Sequence, residues 1–221
     1  MSNLLISCIS LLMIVTSFVV VEWRRLSGAV HVYQLQSILI AVIFALYAIS
    51  IPNPALFFWA GTVLVSKGII VPLLLRRYIV KDHGTETSSM LNPIISLVIG
   101  VALAMSAFFW VYAHHAQLAA LPSLAGEPYR TNMAVAAAIF VASFYALLTR
   151  RDAFKSVMGL CLLENAIHLG LVSLAPAIPE TAMIGVITDV VISIWLLLVI
   201  VASLYRTTGS VDTFNLRKLR G

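Results

Sequence analysis

Three ionisable side chains stand inside otherwise apolar runs of this chain. They are Lys67 in GTVLVSKGIIVPLLL, Glu164 in MGLCLLENAIHLGLV and Asp189 in IGVITDVVISIWLLL. A charge near the centre of a bilayer costs several kcal/mol on insertion scales. Chains retain that cost where the charges line a polar path or join helices. His168 follows Glu164 by four residues, which puts both on one helix face. Carboxyl, imidazole and ammonium groups in such a setting are the side chains that pass protons. The chemistry indicated is therefore ion or proton movement, with Glu164, Asp189, Lys67 and His168 as proton-transfer candidates and Asn165 extending the polar stripe. Each has a plainer alternative: an ion pair that clamps two helices, or, for His168, a ring satisfied by its own helix. No nucleophile–base pair or metal-ligand cluster accompanies them, and GTVLVSKG lacks the second glycine of a phosphate-binding loop.

The elements that must position these residues are membrane helices. Of 221 residues, 61% are hydrophobic and 10% charged, with a mean hydropathy of +1.02. A soluble domain of this size has no interior for so much apolar side chain, so the expected class is an all-α polytopic membrane protein with a single membrane domain, 1–221. Seven spans are read: Leu4 to Glu22, His31 to Ser50, Pro54 to Leu75, Leu91 to Tyr112, Asn132 to Leu148, Phe154 to Leu174 and Ala182 to Tyr205. Within the domain, 1–90 holds spans one to three, 91–131 span four and a loop, and 132–221 spans five to seven. Pro52, Pro54, Pro122, Pro176 and Pro179 punctuate the connections. At 1.5 Å per residue, Lys67 is expected about 13 Å from the basic end of the membrane, Glu164 about 18 Å and Asp189 about 25 Å, level with His168. That arrangement is a ladder whose steps need bridging water.

Charge placement orients the spans. With the N-terminus outside, the inner side receives Arg24 and Arg25; Arg76, Arg77 and Lys81; Arg150, Arg151 and Lys155; and Arg206, Arg217, Lys218 and Arg220. These are twelve of the fourteen Lys and Arg; only Arg130 falls outside, and Lys67 is in the membrane. The positive-inside rule then places the C-terminus in the cytoplasm. The net charge of +5 is thus a topology signal in short clusters, and no nucleic-acid partner is implied. The first apolar run has no basic leader region and continues to Val21, so it is expected to remain as a span. His114 and His115 are expected in solvent at the outer mouth of span four, and Glu22 simply at an interface. Cys8 and Cys161 are the only cysteines, too few for an iron–sulfur cluster held by this chain alone. A parallel three-helix repeat is a further expectation. Arg-Arg pairs follow spans one and five, and 42 residues separate Arg25 from Lys67 against 38 from Arg151 to Asp189.

The stretch TRRDAFKSVMGLCLLENAIHLGLVSLAPAIPE, followed by IGVITDVVISIWLLLVIVASLYRTTGSVDTFNLRKLRG, resembles component E of hydrogenase-4-type complexes, the energy-converting nickel–iron hydrogenases of formate hydrogenlyase systems. The likeness extends to SKGIIVPLLLRR around Lys67. The last three spans are also similar to the K subunit of bacterial complex I and the C subunit of multisubunit sodium/proton antiporters. That pattern has a basic turn, a Gly-Leu helix with a buried Glu, a second helix with a buried acid, and a tail ending in Arg-Gly. This chain departs from it twice. Cys161 stands where the K subunit carries its first acid, with Glu164 one turn later, and the second acid is Asp189 rather than Glu.

The resemblance implies a bacterial or archaeal cytoplasmic-membrane subunit with no catalytic centre and no cofactor of its own. It would sit between an arm-anchoring membrane subunit and antiporter-like membrane subunits. Nickel–iron and iron–sulfur groups would belong to soluble partners, whose electron transfer drives protonation changes here. Two other functions remain open on the residues: a cation/proton antiporter subunit without a hydrogenase, and a structural scaffold.

Overall fold

A computed structural model describes residues 2–51, 53–79, 92–119, 121–176 and 180–213; of the side chains in helices, those of 2, 180–184, 186, 187, 189 and 208 lie outside the description. Pro52, Pro179, Lys81, Arg217, Lys218, Arg220 and the side chain of Asp189 therefore lie outside the described residues. Seven helices are long and apolar enough to cross a membrane: α1 (Ser2–Glu22), α2 (Leu26–Ser50), α3 (Pro54–Ile79), α4 (Pro93–Leu118), α5 (Tyr129–Thr149), α6 (Ala153–Leu174) and α7 (Glu180–Thr208). The chain is a multi-pass, all-helical membrane protein.

Local chemistry sets several helix starts. Asn53 and Asn92 each precede a proline at the first helical position, and their side chains accept from the amides of Ala55 (3.1 Å) and Ile94 (3.0 Å). An Asn cap supplies an acceptor to an orphan amide, and proline there gives up no helical bond. Asp152 caps α6 in the same way, accepting from Phe154 and Lys155. α2 begins five residues before the expected His31, and α4 runs six past Tyr112. As a result both His114 and His115 are helical. His115 is buried, with Nε2 2.9 Å from the carbonyl of Leu124, and is not a solvated residue as expected.

α3 is not uniform. Its middle turn, Ser66–Ile70, is a π-helical segment in which Val71 donates to Ser66. Pro72 follows after Val71 and has no amide hydrogen to give back along the helix. A proline forces a helix to widen or kink there and strips a carbonyl of its partner. The Gly68 carbonyl is instead capped from α2, by Gln34 Nε2 at 2.8 Å, and Arg76 donates to Gln34 Oε1 at 2.7 Å.

The helices gather around α6. Over an apolar stretch of 18 residues in each span, 61% of α6 is buried, against 28% for α4 and 22% for α7. Those two therefore present most of their apolar surface outward, to lipid or to partners. α5 packs along both α4 and α6, α1 along α2 and α5, and α7 rests on α3 and α6. At the basic end, α7 terminates on Gly209 with φ of +68°. The chain then returns antiparallel to the α5–α6 link: Ala153 donates to Val211 (3.0 Å) and Thr213 to Arg151 (3.0 Å).

Candidate functional site

The wide turn of α3 packs on α2, and Lys67 reaches from it across to α6 inside the protein. The lysine is completely buried. Its Nζ donates to Asn165 Oδ1 at 3.2 Å, lies 3.1 Å from His168 Nδ1 and stands 3.9 Å from Glu164 Oε2. Three of the four candidates read from the sequence thus meet at one point, with Asn165 beside them. The expected ladder is corrected for these three, since no long step separates them. Its depths were counted from an α3 ending at Leu75, but the helix continues to Ile79. Lys67 is then about 18 Å from that end and Glu164 about 17 Å from the start of α6, so they are level. Asp189 lies on α7; its side chain is outside the description.

His168 shares a helix face with Glu164 but does not bond its carboxylate. Its Nδ1 lies 2.7 Å from the backbone carbonyl of Glu164, one turn back on its own helix, and Nε2 is buried with no partner among the described residues. That carbonyl already accepts the His168 amide within α6, so Nδ1 either adds a second donor to it or offers its lone pair to Lys67, and cannot do both.

Behind the lysine runs a chain of neutral polar groups, of which the sequence reading singled out only Asn165. Asn165 Nδ2 donates to Gln36 Oε1 (3.3 Å), and Gln36 Nε2 donates to Ser17 Oγ (2.6 Å) and the Met13 carbonyl (3.2 Å). All are buried. This relay of amides links α3, α6, α2 and α1. Nearer the opposite end of α1, Asn132 donates to the Tyr47 hydroxyl (2.6 Å) and bonds Ser10. The available signal was an uncharged amide or hydroxyl deep in an apolar run, which is fainter than a charge but follows the same logic.

At the basic end, the charges do more than mark topology. Glu22, expected to be a bystander, pairs with the buried Arg150. Lys155 is buried and donates to the carbonyls of Val20 (2.9 Å), Val21 (3.1 Å) and Trp23 (2.7 Å), closing the last turn of α1. Cys161 is buried and Cys8 exposed. No group of three or more His, Cys, Asp or Glu that could hold a metal occurs among the described residues.

Comparison with known proteins agrees with the resemblance read from the motifs. Residues 132–221, the last three helices and the tail, match the family NADH-ubiquinone/plastoquinone oxidoreductase chain 4L. Hydrogenase-4 component E of Escherichia coli (strain K12) is 24% identical over 221 residues, covering 99% of each chain. The proteins of the same name from Escherichia coli O157:H7 and Shigella flexneri match to the same extent. No solved structure matches the chain significantly.

Proposed function

We propose that the chain is an integral membrane subunit of an energy-converting hydrogenase complex, and that Lys67, Glu164 and His168 form a proton-transfer site coupled to that complex's redox chemistry. The end-to-end likeness to hydrogenase-4 component E and the match of the last three helices to a complex I-type family support the first part. The observation that carries the second is the completely buried Lys67 held between a carboxylate, an amide and an imidazole.

The geometry supports transfer through this group. Lys67 is sealed from solvent, while the Glu164 side chain keeps 18% of its surface exposed and is the entry to the cluster. When His168 carries its proton on Nδ1, it adds a second donor to the Glu164 carbonyl and leaves Lys67 no lone pair on that nitrogen. When the proton sits on Nε2, Nδ1 accepts from Lys67, but its lone pair then stands 2.7 Å from the carbonyl oxygen of Glu164 and the Nε2 proton has no partner among the described residues. Neither tautomer meets every demand, so the proton position on His168 follows the charge on Lys67. Asp189, on α7, extends the path in this reading, as the counterpart of Lys67 in a parallel repeat of α1–α3 and α5–α7. The basic end faces the cytoplasm. The adjoining partners are an arm-anchoring subunit and antiporter-like subunits.

The scaffold reading draws on the amide chain from Asn165 to Ser17, which clamps four helices. It accounts for the amides but leaves unexplained a titratable carboxylate and imidazole around the lysine. Tagging the chain and isolating it from native membranes tests the assignment to a complex. A nickel–iron large subunit should copurify. Antiporter subunits without it would favour the antiporter function, and a stable chain free of large partners would contradict both.

A further inference from the structure

Between α3 and α7, at the basic end of the membrane, lies a cleft of about 700 Å³. We propose that it binds an anionic phospholipid, with Arg77 and Arg206 holding the phosphate diester and the cleft wall holding the upper part of an acyl chain.

The two arginines line the cleft from opposite helices, and both are exposed. Their neighbours show that this is a choice and not a default. Arg76 turns inward to Gln34, and Arg150 turns inward to Glu22. Among the described residues, no carboxylate pairs with Arg77 or Arg206; the ion pairs there are Lys67–Glu164 and Arg150–Glu22. Two guanidinium groups left open at one cleft present a fork of donors suited to phosphate oxygens.

The remaining lining says which phosphate. Tyr78 and Tyr205 stand beside the arginines, the position aromatic side chains take at the boundary between headgroup and hydrocarbon. Deeper in, the wall becomes apolar with Leu74, Val199 and Trp195. Trp195 is eleven residues before Arg206 on α7, about 16 Å toward the membrane centre. A free phosphate would use only the rim of such a site. A lipid fills its whole length, with charge at the boundary and chain along the wall, as basic pockets between membrane helices do elsewhere.

The test uses the full-length chain, with any partners that copurify, in vesicles of phosphatidylcholine. Phosphatidylglycerol brominated on its acyl chains is titrated in, and quenching of Trp195 is read as the difference between the parent and its Trp195→Phe variant. Saturable quenching is expected, with brominated phosphatidylcholine far weaker. Arg77→Gln and Arg206→Gln should each weaken it about fivefold, and the pair about thirtyfold. Arg77→Lys with Arg206→Lys should bind more tightly than the double glutamine variant and more weakly than the parent, since charge is kept and the bidentate fork is lost, which separates loss of charge from loss of fold. Equal quenching by the two lipids would overturn the proposal. So would unchanged quenching in the double glutamine variant, or displacement of the lipid by millimolar inorganic phosphate.

Discussion

Lys67 and Lys155 are both buried lysines, and their surroundings differ in kind. Lys155 sits at the basic end of the bundle, where its three protons meet the backbone carbonyls of Val20, Val21 and Trp23. Those acceptors are fixed, belong to the negative end of the α1 dipole and do not titrate. Lys67 sits mid-membrane among side chains: an amide, an imidazole nitrogen already claimed by a carbonyl, and a carboxylate 3.9 Å away, too far for a hydrogen bond. One lysine is a rivet with every donor satisfied. The other is held loosely by groups two of which can exchange protons. Burial alone therefore does not mark a functional charge; the chemistry of its partners does.

Substitutions sharpen that contrast, and the largest effect on stability is expected at the rivet. Lys155→Met strips the last turn of α1 of its donor and leaves carbonyls buried without partners. A loss of about 3 kcal/mol is expected, read as a lower unfolding midpoint in detergent and lower membrane levels. Stability within about 0.5 kcal/mol of the parent would erase the distinction between the two lysines.

The amide chain comes next. Gln36→Leu removes the partner of Asn165 Nδ2 and of Ser17, and should destabilise by about 1–2 kcal/mol. The same measurement checks it. A smaller loss, about 1 kcal/mol, is expected for Gly209→Ala, since φ of +68° strains a residue with a side chain. That change should also raise hydrogen exchange at the amides of Ala153 and Thr213, which the returning tail protects.

The smallest effect on stability is expected at Lys67. Removing one member of a buried ion pair is costly where it strands the other as a buried charge, but Glu164 stands 3.9 Å away, is partly exposed and is able to take up a proton, so no charge is stranded. Lys67→Met should stay within about 1 kcal/mol of the parent while abolishing most coupled proton movement. A severe assembly defect with residual proton movement intact would instead make Lys67 a second rivet.

The sequence states most of this architecture openly. Seven apolar runs, Asn-Pro pairs at Asn53 and Asn92, and basic clusters at alternate ends give the helices and their count. The charges at Lys67 and Glu164 and the i, i+4 placement of His168 give the centre of the site. What stayed hidden depends on three-dimensional register. The depth of Lys67 turned on where α3 ends, and on a wide turn that Pro72 provokes but does not define alone. Gln36 and Asn132 are legible as polar residues in apolar helices, yet their partners lie 129 and 85 residues away in the chain, a distance no local pattern spans. The pairing of Glu22 with Arg150 was hidden for the same reason.

The central claim is that the Lys67 cluster moves protons, and Glu164→Gln addresses it most directly because it preserves shape and hydrogen bonding but removes titration. Proton translocation per electron is to be measured in membrane vesicles, normalised to assembled complex. The account predicts normal assembly and a strong fall in translocation, with Glu164→Leu impaired in assembly as well. Full coupling in Glu164→Gln would contradict it and leave the cluster as a clamp between helices.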